Sequence, residues 1–388
     1  MVRNLFLSSF FLLTLPMTGI PFLPLKIPPL YQIILLFISI IIILSILSNG
    51  IIKKNLLYII SFLILFDIYL ILINSSILQI ISISSYILIL ALIKNNLFNL
   101  VLSNEKRIDQ VLFIVYYIII GTALLQVVAY YLFGSIYLID YNYYLTSGLY
   151  SYTLNSPISG WNQSFRPNAF FAEPSFLGFF IVVFALYKFQ KDYKFGFLIF
   201  NILLLHLFGI RSGEIVLILV TIYIVLEKYF GRKTSLNVTM ISISMLFFSV
   251  FLFNDYLISK IDIHSMDYST YQRTTMLLQG IEVFKNNIIT GVGLGNLSEI
   301  FVSMQLYDRN ISNIGNLLIQ ILAEIGIVGF ILLIIILSRI YTFSYSFLGL
   351  FLSMFFVGGY SLLYMWIIPL LATIYIRGKD ESSISKQI

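Results

Sequence analysis

The chain has 388 residues, of which 60% are hydrophobic and 10% charged, with a mean hydropathy of +0.98 and a net charge of +6. A soluble chain of this length carries about a quarter of its residues as charges, so a soluble or disordered protein is excluded. So is a nucleic-acid-binding one, because the 23 Lys and Arg are spread along the sequence. With no Cys and two His there is no thiol nucleophile, disulfide framework or histidine-rich metal centre. The composition is that of an all-α polytopic membrane protein.

A helix needs about 20 apolar residues to cross the hydrocarbon. In chain order the runs 4–25, 28–49, 55–74, 77–93, 111–133, 169–187, 195–210, 214–228, 237–257, 315–338, 341–357 and 359–376 are the candidates, which predicts about 12 transmembrane helices. Runs 195–210 and 214–228 are short and read equally as a re-entrant pair. Arg3 precedes the first run as in a signal peptide, yet no small-x-small site follows, and Pro16, Pro21 and Pro24 fit a kinked span.

Charge orients the spans. An N-terminus in the cytoplasm places sixteen of the 23 cationic residues inside and seven outside: Lys26, Arg166, Arg211, Lys260, Arg273, Lys285 and Arg309. Both termini are then cytoplasmic. Residues 1–376 form a single transmembrane domain, and the polar tail 377–388 is expected to be unstructured. Two long loops, 134–168 and 258–314, face outward, and chemistry or recognition is expected there. No internal repeat of the transporter kind is visible.

Four outer segments hold residues that are costly near a membrane. In Arg166-Pro167-Asn168-Ala169-Phe170-Phe171-Ala172-Glu173-Pro174-Ser175, Pro174 suits the first position of a helix, with Glu173 at its N-cap. Arg166 and Glu173 read either as an interfacial Arg with a helix cap or as an anion-binding Arg beside a poised carboxylate. Gly209-Ile210-Arg211-Ser212-Gly213-Glu214 is a polar break between apolar runs, where Arg211 pairs with Glu214 or holds an anion. Gln272-Arg273 opens a helical stretch with an apolar row at Leu277, Ile281 and Phe284. That stretch ends at Gly291-Val292-Gly293-Leu294-Gly295-Asn296, a weak phosphate-loop signal that reads better as a tight turn. Finally Asn316, Gln320 and Glu324, four apart, make one polar stripe of the tenth span, explained by packing or by a cavity lining; Gly326 and Gly329 allow close helix approach. His206 reads as a buried, satisfied histidine, and Asp67 is the one clear mid-membrane charge.

Taken in order, the Arg-preceded Glu-Pro-Ser, the Arg-Ser-Gly before a span, Gln-Arg…Gly-Val-Gly-Leu-Gly-Asn and Asn-x-x-x-Gln…Ala-Glu-Ile-Gly-Ile-Val-Gly resemble the O-antigen polymerase and ligase superfamily over roughly 160–335. The resemblance implies a GT-C-like glycosyltransferase architecture in the bacterial inner (cytoplasmic) membrane. The donor it implies is a glycan repeat unit on undecaprenyl diphosphate; membrane lipid, a chain-length regulator and a flippase are candidate partners. The outer side has no Asp-x-Asp pair, so the sequence requires no metal, and no cofactor or nucleic acid is expected. The resemblance implies that arginines of the outer loops hold diphosphate and growing chain, which makes Arg166 and Arg273 catalytic candidates; the attacking sugar hydroxyl needs a base, and Glu173 is the candidate for it. Arg211, Ser175, Gln272, Asn296, Asn316 and Gln320 are assigned to substrate binding. The ligase branch has a His directly before the Asn of the last motif; Gly315 stands there, which favours a Wzy-type polysaccharide polymerase over a ligase. A transporter of the same glycan lipid is the third reading.

Overall fold

The computed structural model describes residues 54–96, 98–133, 166–167, 169, 171, 174–232, 234–235, 237, 268–303, 316–355 and 363–384. The expected spans 4–25 and 28–49, nearly all of 237–257, most of the loop 134–168, the two ends of the loop 258–314, and Glu173 lie outside these residues. Every regular element among the described residues is a helix: α1 Lys54–Leu72, α2 Ile77–Asn96, α3 Phe98–Ser103, α4 Glu105–Phe133, α5 Pro174–Asp192 and α6 Phe195–Leu207. They continue as α7 Arg211–Phe230, α8 Tyr268–Asn286, α9 Leu297–Ser303, α10 Leu317–Ile340, α11 Tyr345–Ser353 and α12 Leu363–Ile384. Three of them, α1, α4 and α10, are long and apolar enough to cross a membrane.

The organising element is α5. Its residues from Leu177 to Tyr187 are all buried, the mark of a helix enclosed on every side, and α6, α7, α11 and α12 pack around it. It begins at Pro174, as expected, because a proline loses nothing at a position whose N–H has no helical acceptor. Small residues set the closest approaches: Gly349 of α11 meets Leu186 and Val182, and Gly178 meets Ile210. Helix α4 joins through Tyr116, whose ring stacks on Phe184 with centroids 4.5 Å apart and whose hydroxyl donates to Asn201 Oδ1 of α6 at 2.7 Å.

Residues that the sequence places on one side do meet at one end of the bundle. Lys191 bridges Glu105, at 2.7 Å, and Asp109; the Tyr187 hydroxyl donates to Asp109 at 2.5 Å. Lys94 Nζ donates to the Arg339 carbonyl at 2.6 Å, and Asn55 Nδ2 to Asn95 Oδ1 at 3.1 Å. Two boundaries differ from expectation here. Helix α4 starts at Glu105 rather than 111, and α12 runs to Ile384 rather than ending at 376. In both cases charged residues continue the helix, since Lys, Arg and Glu favour it and do not need lipid.

The expected tenth span is not one straight helix. Within α10, Gly326 has φ 62° and ψ −172°, outside helical geometry. A straight helix from Tyr341 back to Leu317 would be about 36 Å long. The chain from Tyr341 to Met354 reaches at most about 27 Å, with four extended residues and one short helix. Yet Leu317 N–H donates to the Met354 carbonyl at 2.8 Å. The first half of α10, from Leu317 to Ile325, therefore turns aside at Gly326.

Breaking a helix frees backbone groups that must find partners, above all in an apolar setting. The loop between α8 and α9 supplies them. Val292 and Gly293 N–H donate to Ala323 and Glu324 carbonyls at 3.0 and 2.8 Å. Ile327 and Val328 N–H donate to Ile288 and Ile289 carbonyls at 2.9 and 3.2 Å. The Ile325 carbonyl takes the Tyr69 hydroxyl at 2.7 Å, and that hydroxyl also lies 3.0 Å from the Thr290 carbonyl. Glycine is required where the strands of this clasp touch. A Cβ on Gly291 would sit 2.4 Å from the Glu324 carbonyl oxygen, and one on Gly326 would sit 2.4 Å from that of Ile289. Both residues also have positive φ.

Candidate functional site

At the end of the bundle opposite Lys191, the turn between α6 and α7 folds over the first turns of α5. Gly178 allows this, since a Cβ there would fall 2.4 Å from Ile210 Cγ2 and 3.7 Å from the Gly213 backbone. Gly209, with φ 64°, closes the turn, and the stem of Arg166 lies on it: a Cβ at Gly209 would come within 3.4 Å of Arg166 Cγ. Arg211 is two residues further on, in the first turn of α7, with its side chain exposed. Arg166 and Arg211 are thus gathered at one turn, beside the N-termini of α5 and α7. No hydrogen bond or ion pair reaches either guanidinium among the described residues. Helix N-termini carry positive potential, so these two cations stand where the backbone does not neutralise them.

Glu214, a possible partner of Arg211 from sequence, turns elsewhere. Its Oε1 lies 3.1 Å from Nδ1 of His206, and His206 is 75% exposed by side chain. The expectation of a buried His206 is corrected by this contact: it sits on the last turn of α6, where its ring points outward to meet α7. A polar residue near a helix end can take that position without desolvation.

Ser175, in the first turn of α5, is buried. The residue before the turn is equally fixed. Gln126 of α4 receives the Ala169 N–H at 2.8 Å and reaches the Ala169 carbonyl at 3.4 Å, holding Ala169 at φ 50°. The segment following Arg166 is therefore anchored to α4 by a completely buried glutamine. Gln126 received no weight in the sequence, where it reads as one polar residue in an apolar run.

Gln272 and Arg273 fall in the opening turns of α8, and their side chains lie outside the described set. The apolar row of α8 behaves as expected: Ile281 and Phe284, with Leu277 against them, enter a second core with Leu318, Ile319, Leu322 and Ala323 of α10. Helix α8 therefore packs on the first half of α10. Asn296 ends the glycine-rich loop, which does form a tight turn, with Gly291, Gly293 and Gly295 all at positive φ. Its Nδ2 donates to the Asn74 carbonyl at 2.9 Å, while Leu294 exchanges bonds with Ser75 and Ser76. The loop thus joins the α1–α2 turn to the break in α10.

The first half of α10 has three faces, each fixed by the helical repeat. Leu317, Ile321 and Ile325 join the main core, and Ile319, Leu322 and Ala323 meet α8. Asn316, Gln320 and Glu324 form the third, and they are 7%, 2% and 1% exposed. Asn316 caps the helix, its Oδ1 receiving Ile319 N–H at 3.0 Å, and its Nδ2 donates to the Phe355 carbonyl at 2.9 Å.

The O-antigen ligase family model matches residues 195–334. That interval holds Arg211, Arg273, the glycine-rich loop and the polar stripe; Arg166 and Glu173 precede it. The match supports the O-antigen polymerase and ligase superfamily and does not separate its two branches. No curated protein and no solved structure matches the chain.

Proposed function

We propose that this protein is a polysaccharide polymerase that joins undecaprenyl-diphosphate-linked glycan repeat units on the outer face of the bacterial inner membrane. The observation that carries the reading is the pairing of Arg166 and Arg211 at the Gly209 turn, with no anion among the described residues to neutralise them. An enzyme on that face has no nucleotide sugars, so its activated donor arrives on a lipid. A sugar hydroxyl attacks the anomeric carbon, the bond from that carbon to the phosphate oxygen breaks, and the diphosphate leaves with the electron pair. Guanidinium groups suit the developing charge, because they stay ionised and bind phosphate oxygens two at a time.

In this reading Arg166 and Arg211 hold the diphosphate, Arg273 of α8 holds the donor or growing chain, and Glu173 takes the proton of the attacking hydroxyl. Guanidinium charge does here what a divalent cation does in other transferases, so no metal is assigned. The ligase reading is favoured by the description of the matching family. Against it stands Gly315, at the position where the ligase branch has a His.

A gel of lipid-linked and surface glycans, from cells with and without the gene, tests the proposal. Loss of the long-chain ladder, with single repeat units still reaching their normal acceptor, is the expected result. Long chains that stay on undecaprenyl diphosphate would make the protein a ligase. Repeat units trapped on the cytoplasmic leaflet would make it a transporter.

A further inference from the structure

Two acceptor atoms on the third face of α10, Gln320 Oε1 and Glu324 Oε2, are buried and have no hydrogen-bond partner among the described residues. They belong to neighbouring side chains, one helical turn apart. The Glu324 carboxyl faces the Gln320 side chain and the Gly295 backbone N–H. No Lys, Arg or His among the described residues pairs with it. A buried carboxylate without a countercharge is strongly disfavoured, and so is each unpaired acceptor.

Three species could resolve the deficit. A hard metal cation takes about six oxygen ligands, and the pair offers two free ones. A water would satisfy the acceptors but leave the charge. A single proton on Glu324 Oε2 removes the charge and makes the missing donor together.

We infer that Glu324 is held as the neutral acid, closing a two-bond pair with Gln320, and that in this form it positions the Gly291–Asn296 loop on α10. The acid O–H donates to Gln320 Oε1, and the Gln320 amide N–H donates back to the carboxyl. Glu324 Oε1 is left to receive the Gly295 N–H. The same residue receives Gly293 N–H on its main-chain carbonyl, at 2.8 Å. The middle and the last glycine of the loop's series are thus tied to residue 324. The inference rests on the clasp alone and stands whatever reaction the protein performs.

The test uses the full chain purified in detergent, by infrared difference spectroscopy of wild type against Glu324→Gln. The carbonyl band of a protonated carboxyl is expected in the wild type and absent from the variant. Gln copies the neutral acid, so Glu324→Gln is expected to keep its melting temperature and its glycan ladder, whereas Glu324→Asp and Glu324→Ala lose both. No such band, or a folded Glu324→Gln that is inactive while Glu324→Asp is active, would overturn the inference in favour of an ionised carboxylate. If Glu324→Gln does not fold, Gln320→Leu decides. Removing the amide partner shifts the acid band if the pair exists and leaves the spectrum unchanged if it does not.

Discussion

The two ends of the helical bundle treat charge in opposite ways. At one end Lys191 sits between Glu105 and Asp109 and over the Tyr375 ring, Lys188 pairs with Asp192 at 2.7 Å, and Lys94 is capped by a backbone carbonyl. At the other, Arg166 and Arg211 share one turn with no partner among the described residues. The ion pairs of Lys191 tie α5 to α4, its contact with the Tyr375 ring ties α5 to α12, and the ligand of these cations is the protein itself. A cation left unpaired at a helix N-terminus has kept its capacity for an external anion. Charge count would have ranked the first end as the more remarkable; pairing ranks the second.

Substitutions can break that contrast, beginning with the largest effect. Arg166→Ala and Arg211→Ala are each expected to lower glycan transfer about 10²–10³-fold, the usual consequence of removing a donor to developing charge. Lys should restore little, since an ammonium cannot bind two oxygens side by side; transfer assays with normal melting temperatures would check both. Full activity in the Ala variants would remove the anion site. At the paired end the order reverses. Lys191→Ala leaves two part-buried carboxylates facing one another, so it is expected to cost about 1–3 kcal/mol of stability with activity per folded molecule intact. Thermal unfolding in detergent reads it. Lys188→Ala removes an i,i+4 pair and a contact with the Phe113 ring, 4.3 Å from its centroid, and should cost about 0.5–1 kcal/mol. Smallest is His206→Ala, at an exposed contact, where both stability and transfer should match wild type within about 0.5 kcal/mol.

Much of this was legible in sequence where one residue type has one physical use. Pro174 marks the start of α5 because proline fits a first turn, and three alternating glycines mark a tight turn because other residues rarely adopt positive φ. Most of the described helices fall on the apolar runs for the same reason, since lipid and core both demand them; α3, α8 and α9 lie between the runs. The break at Gly326 was not legible. A glycine within an apolar run reads as a packing position, and its true partners are in a loop some 40 residues earlier. The grouping of Arg166 with Arg211 was also hidden, because the contact passes through Gly209, which has no side chain to signal it. Glu214 illustrates the opposite error, where nearness in sequence favoured Arg211 and helix geometry delivered His206.

The clasp at Gly326 has a consequence on its outer side. Beyond the break, Ile327, Val328, Ile331 and Ile334 of α10 remain exposed, the pattern of a face turned to acyl chains. That half-helix is about 21 Å long, short of the roughly 30 Å of hydrocarbon in a bilayer. Ile288 and Ile289, also exposed, are hydrogen-bonded directly to Ile327 and Val328 and extend the same apolar strip where the helix has turned away. Two stretches of chain therefore make one continuous greasy seam. Together they lengthen the apolar face that the half-helix alone leaves short of a bilayer's hydrocarbon.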